Sequence, residues 1–210
     1  ADILQEEPGV MLQISRLLNL EEYPFLRDYA IGTSQLSYAM PSMRGLTVLS
    51  LMSALEIMCE TARMLLPRMR VASVENLRSQ RWLEFREDML KISVRAERIA
   101  WSDSSVVAVR VQLREESRDS NFTWPAVEAV VILATGVPTP PSLQASPLER
   151  ARSVNWSHHD IYPERLFQGE SLRIVRHVDL WSEGGIDFEV EAPRKAGSVK
   201  GIRVPLFSVW

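Results

Sequence analysis

Few side chains in this protein can carry a proton near neutral pH. Three of them are histidines: His158 and His159 stand side by side before Asp160, and His177 lies within an alternating stretch. Histidine is the side chain whose ordinary pKa falls between pH 5 and 8, and a neighbouring carboxylate can orient an imidazole. Adjacent residues seldom face one another productively, so a solvated loop is the plainer origin of the His158–Asp160 run. His177 reads as structural. Glu56 and Glu60 stand one helical turn apart in an otherwise apolar run, and a buried carboxylate needs a partner or a raised pKa. Glu56 is therefore either a proton-transfer group or a carboxylate tied to backbone or to an arginine. The single cysteine, Cys59, sits in the same run without a cationic activator, which is the setting of an inert core thiol. Three histidines and one cysteine offer no metal-ligand spacing. No glycine-rich phosphate loop and no Gly-x-Ser-x-Gly elbow occur.

The elements that must position these groups begin with the helix carrying Glu56. From Leu46 the residues Leu49, Met52, Ile57, Cys59, Met64 and Leu65 are so dense that the helix should be apolar nearly all round, hence buried. Pro41 and Gly45 punctuate its approach, and Pro67 ends it. Small residues and glycine ahead of an apolar helix suggest that it packs on a sheet.

The rest reads mainly as strand. Leu90, Ile92, Val94 and Ala96 alternate with Lys91, Ser93, Arg95 and Glu97, a half-buried strand. Val107, Val109, Val111 and Leu113 alternate in the same way, with 101–105 suited to a hairpin turn. Val127–Leu133 is nearly all apolar and reads as a central strand. Val10–Leu20 fits strand and helix about equally, Tyr23–Leu26 a turn or short extended piece, and Val71–Phe85 neither period cleanly. Residues 136–147, rich in proline and serine, read as a linker. Beyond it, Ser171–Trp181 and Ile186–Glu191 are strands joined by a turn at 182–185, and Ile202–Trp210 resumes a strand pattern. The expected organisation is a first unit over 1–135, a linker over 136–150, and a second, incomplete unit over 151–210.

Composition narrows the setting. The 210 residues are 46% apolar and 24% charged, as in an ordinary globular protein, and a net charge of −3 argues against a nucleic-acid surface. No apolar stretch is long enough to span a membrane. An acidic start is unlike a signal peptide, and one cysteine fits a reducing compartment, so the cytoplasm is expected. The absence of an initial methionine and the abrupt apolar end at Trp210 suggest a piece of a longer polypeptide. Arg68, Arg70, Arg78 and Arg81 follow the helix closely. They could face an acidic partner or a phosphate, although solvated strand faces account for such runs more often.

A long helix wrapped by a curved antiparallel sheet is the hotdog fold, an α+β architecture, and specific residues narrow the match. Tyr23-Pro24-Phe25-Leu26-Arg27-Asp28-Tyr29, the loop with Pro41, and the helix Ser50–Ala62 with Glu56 resemble the first half of the dehydratase domains of polyketide and polyunsaturated fatty acid synthases. Tyr162–Leu172, with Gly169, resembles the motif that opens the second hotdog of that family, and Trp181–Val190 fits the strand pair after it. The resemblance implies a double hotdog within a multidomain synthase of polyketide or fatty acid biosynthesis. Its substrate would be an acyl group carried on the phosphopantetheine of an acyl carrier protein, with no other cofactor.

The departures bear on activity. In active members a histidine follows the aspartate and removes the α-proton of a 3-hydroxyacyl thioester; Tyr29 stands there. A phenol with an ordinary pKa near 10 is a poor base at neutral pH. Proline after Gly169 is replaced by Glu170, and the acid-bearing aspartate motif would lie past Trp210. The resemblance thus implies a degenerate, non-catalytic domain that serves as scaffold, dimer contact or carrier-protein platform. The alternatives are a divergent dehydratase using Glu56 or His159, and an acyl-binding module with the Gly169 region as its binding site.

Overall fold

The computed structural model describes residues 1–31, 45–101, 106–116, 124–136, 148–162, 165–166 and 168–190. In chain order the strands are β1 (Asp2–Glu7), β2 (Met11–Asn19), β3 (Ala30–Ile31), β4 (Leu46–Thr47), β5 (Arg70–Ser79), β6 (Met89–Ile99), β7 (Val107–Glu115), β8 (Val127–Ala134), β9 (Arg152–Ser157), β10 (Val175–Ser182) and β11 (Gly185–Val190). Helix α1 is Leu51–Leu65 and helix α2 is His158–Ile161. Short 3-10 turns cover Pro24–Asp28 and Glu170–Leu172.

The chain forms two compact units. One comprises Ala1–Glu22 with Val48–Thr139, the other Tyr23–Thr47 with Pro140–Trp210. Tyr23–Thr47 and α1, continuous in sequence, therefore belong to different units. The expected linker lies mostly outside the described residues.

The first unit is a six-stranded antiparallel sheet in the order β1-β2-β6-β7-β8-β5, with α1 packed against it. Long in-register ladders hold its centre, such as Met11↔Glu97 through Asn19↔Met89. Leu90, Ile92, Val94 and Ala96 are buried, as their alternation requires. β8 lies between β7 and β5, the central position expected from its apolar run.

Helix α1 departs from the sequence expectation in two respects. It starts at Leu51 rather than Leu46, because Leu46–Thr47 pairs with Ala30–Ile31 as a strand. It also buries one face only: Ala54, Ile57, Met58, Thr61, Ala62 and Leu65, spaced three and four apart, meet the sheet, whereas Leu51, Met52 and Met64 are exposed. A single sheet can cover only one stripe of a helix. Ser50 caps its start, with Oγ accepting from Ser53 N at 3.0 Å.

The second unit holds the three-stranded sheet β11-β10-β9 and the β3–β4 pair. Among its described residues, Ile161, Tyr162 and Val178 form a small core cluster packed by Val154, Trp156, Leu166 and Val175, and Tyr23, Leu26 and Ala30 are buried on the other segment. The strand expected over Ser171–Trp181 begins only at Val175, because Glu170–Leu172 turns as a 3-10 helix. β11 and its turn lie where expected. Residues 202–210 lie outside the described part. Among the described residues, no helix is long and apolar enough to cross a membrane.

Candidate functional site

The two motif segments meet inside the second unit. Pro24 at the first turn favours the tight helix Pro24–Asp28, which presents Asp28 to the Gly169 segment. Gly169 N donates to Asp28 O at 2.7 Å, and Ser171 N donates to Asp28 Oδ2 at 2.8 Å, across 143 residues of sequence. A Cβ on Gly169 would stand 2.5 Å from Asp28 Cγ and 2.7 Å from Asp28 Cβ. Only glycine lets the carboxylate lie across the backbone so closely. Its place in the motif follows from packing, not from a special backbone angle.

Tyr29 directly follows this clasp. It is half-buried, and its N–H reaches Leu26 O at 3.4 Å as the turn closes. Gln168, immediately before Gly169, accepts from Arg173 Nε through its backbone oxygen at 3.3 Å. Its side-chain Oε1 is buried without a hydrogen-bond partner among the described residues.

His158 and His159 belong to the same unit, on α2. Asp160 does not orient either imidazole. Its Oδ2 instead accepts from Ser157 N at 2.9 Å and Ser157 Oγ at 2.6 Å, an N-terminal cap. Those bonds hold the Asp160 carboxyl below its usual range. His158 packs on the Tyr162 ring at 5.1 Å and edge-on to His159 at 5.5 Å. His177 lies 3.1 Å from Asp179 Oδ1 on the sheet surface.

Glu56 belongs to the first unit, on α1. Burial first, then the neighbouring Glu60 charge, push its carboxyl up to about 7, against a weaker pull from Arg63. It would therefore exchange a proton near neutrality. The neighbouring Glu60 pairs with Arg16, its Oε2 lying 3.7 Å from Arg16 Nη1. Cys59 is pushed up to about 12 by burial and by Glu56, so its thiol is inert at neutral pH. Arg68, Arg70 and Arg78 are exposed, while Arg81 pairs with Glu115 at 2.8 Å. Among the described residues no cluster could hold a metal ion.

Sequence reasoning named Tyr29, Glu56, His159 and Gly169 but missed the role of Asp28, Gln168 and Arg173. The Asp28–Gly169 clasp had a usable signal, since both residues lie in the quoted motifs.

No family model matches the chain, and no curated protein sequence matches it. Solved structures do. The chain is similar to the dehydratase domain from the CurF module of the curacin polyketide synthase, with a TM-score of 0.59 and 11% identity over 85% of this chain and 60% of that one. It is similar to a dehydratase structure of the borrelidin and fluvirucin polyketide synthases, with a TM-score of 0.55 and 17% identity over 92% and 64%. It is also similar to the bifunctional dehydratase-cyclase domain of ambruticin biosynthesis, with a TM-score of 0.52 and 15% identity over 92% and 61%. The chain thus spans less than two thirds of the length of each. With this sheet, this helix and these neighbours, the protein has the dehydratase-like hotdog fold of polyketide synthase dehydratase domains.

Proposed function

We propose that this chain is a non-catalytic, dehydratase-like part of a multidomain polyketide or polyunsaturated fatty acid synthase, acting as scaffold, dimer contact or platform for an acyl carrier protein. The observation that carries the proposal is Tyr29. It follows the Asp28 clasp, in the position where the resembled family places its imidazole base, and a phenol there is a poor base. The shared fold supports the synthase setting, and the clasp between the two motifs supports a domain that keeps its architecture without its chemistry. The test supplies the purified chain with 3-hydroxyacyl thioesters of pantetheine and follows enoyl absorbance. The expected rate is that of the uncatalysed reaction, before and after Glu56→Gln and His159→Ala. Enzyme-like turnover would sink the proposal.

The second reading is a divergent dehydratase, favoured by the placing of Glu56 on α1, where burial and the Glu60 charge push its carboxyl up to about 7. In it Glu56 would be the proton-transfer group, so turnover should follow a titration near pH 7 and vanish in Glu56→Gln.

A further inference from the structure

We propose that the face of the second unit built by His158, His159, Tyr162 and Arg173, with Arg176 beside them, binds a phosphate-type oxyanion. The inference is independent of the dehydratase reading and rests on how these side chains are held. Tyr162 is buried, and its hydroxyl accepts from Val175 N at 3.3 Å, so the ring is fixed at both ends. His158 leans on that ring at 5.1 Å, and the Arg173 guanidinium carbon lies 5.5 Å from the ring centroid. His159 stands edge-on to His158 at 5.5 Å. One rigid aromatic plate therefore organises an imidazole pair and a guanidinium. The β9–β10 register, His177↔Ser157, brings Arg176 alongside His158 when continued by one residue.

Among the described residues, the neighbouring acidic groups are bonded elsewhere or stand further along the sheet. Asp160 caps Ser157, Asp179 lies against His177, Glu189 faces His177 from β11, and Glu170 is exposed on the turn before Arg173. Arg165 is held by the Trp156 ring at 4.4 Å and by Asp160 O. Arg173 uses its Nε on Gln168 O. Partial burial, then the positive charges of Arg176, His159 and Arg173, hold the His158 imidazole below its usual range. The positive charges in that set oppose a proton on His158, and a bound anion would offset them. A planar guanidinium beside imidazole N–H groups offers a tetrahedral oxyanion several donors, some of them charged.

The experiment is a histidine-imidazole NMR titration of the full chain with inorganic phosphate, glycerol 3-phosphate and dimethyl phosphate, against chloride at equal ionic strength. Phosphate should shift His158 and His159 saturably and move the His158 titration midpoint upward. Arg173→Gln should weaken binding roughly tenfold, as expected for loss of a charge-assisted contact. Arg176→Gln, on an exposed side chain, should weaken it severalfold. Arg152→Gln should leave binding unchanged, since Arg152 sits over Trp181 instead. Response to inorganic phosphate and the monoester alone supports a terminal phosphate, and response to the diester as well supports an internal one. Equal responses to phosphate and chloride, or equal losses in Arg152→Gln and Arg173→Gln, would overturn the proposal.

Discussion

Glu56 carries a pH dependence of definite sign. Its folded-state pKa, about 7, lies above the ordinary 4.5, so the folded chain holds a proton that the unfolded chain releases. Its contribution is therefore favourable below about pH 4.5 and is lost as pH rises to about 7. Full linkage would amount to about 3 kcal/mol, and partial solvent access screens this to about 1–2 kcal/mol. Glu56→Gln should match the parent at pH 4.5 and exceed it by about 1–2 kcal/mol at pH 8 in urea unfolding. Some dependence of the same sign should remain, because burial also raises Glu60. A different test applies to Gly169. Gly169→Ala forces its new Cβ into Asp28 and should cost about 1–3 kcal/mol, the usual penalty for overpacking. In Asp28→Gly the obstructing side chain is gone, together with the bond from Ser171 N, so adding Gly169→Ala to that background should cost little. Additive losses in this double-mutant cycle would mean that the two residues do not act through their contact.

At the scale of elements, α1 depends on a cap that its sequence announces. Ser50 Oγ accepts from Ser53 N, and Ser50→Ala should lower stability by about 1 kcal/mol by thermal unfolding. Ser50→Asp should retain most of it. The central strands were legible because burial on one face imposes a period of two, and β6 follows that rule from Leu90 to Ala96. β5 was not, for a local reason: its ladder with β8 slips twice, and Asn76 sits at the second slip with φ of 53°. Each slip resets which residues face inward, so no single period survives. β1 left no signal because all six of its residues are exposed, giving the core no pattern to impose. Short β9, with no fully buried residue, was missed for the same reason. The site was half legible. Gly169 and Tyr29 stood in recognisable motifs, but the Asp28–Ser171 bond closes over 143 residues, and no local pattern encodes such a partner.

Across the whole molecule, the two units differ in how much apolar surface they bury. The first unit has fully buried Leu18, Met58, Ile92, Val94, Val109, Val111, Leu113, Val131 and Leu133 at the sheet–helix interface. Among the described residues, the second has the cluster Ile161, Tyr162 and Val178 with partly covered neighbours, and Tyr23, Leu26 and Ala30 buried on its other segment, none of them fully. Burial of apolar area dominates local stability, so the units should open with different free energies. Amide hydrogen exchange on the intact chain measures this directly. Backbone amides in β6, β7 and β8 should exchange slower than those in β9, β10 and β11 by a factor on the order of 100, equivalent to about 2.7 kcal/mol. β11 should be the fastest of these, as every residue from Ile186 to Val190 is exposed. Val178→Ala should speed exchange in β9 and β10, because removing a buried branched side chain from so small a core leaves little to collapse around it. Uniform protection across both sheets would show that burial in each unit does not govern its opening.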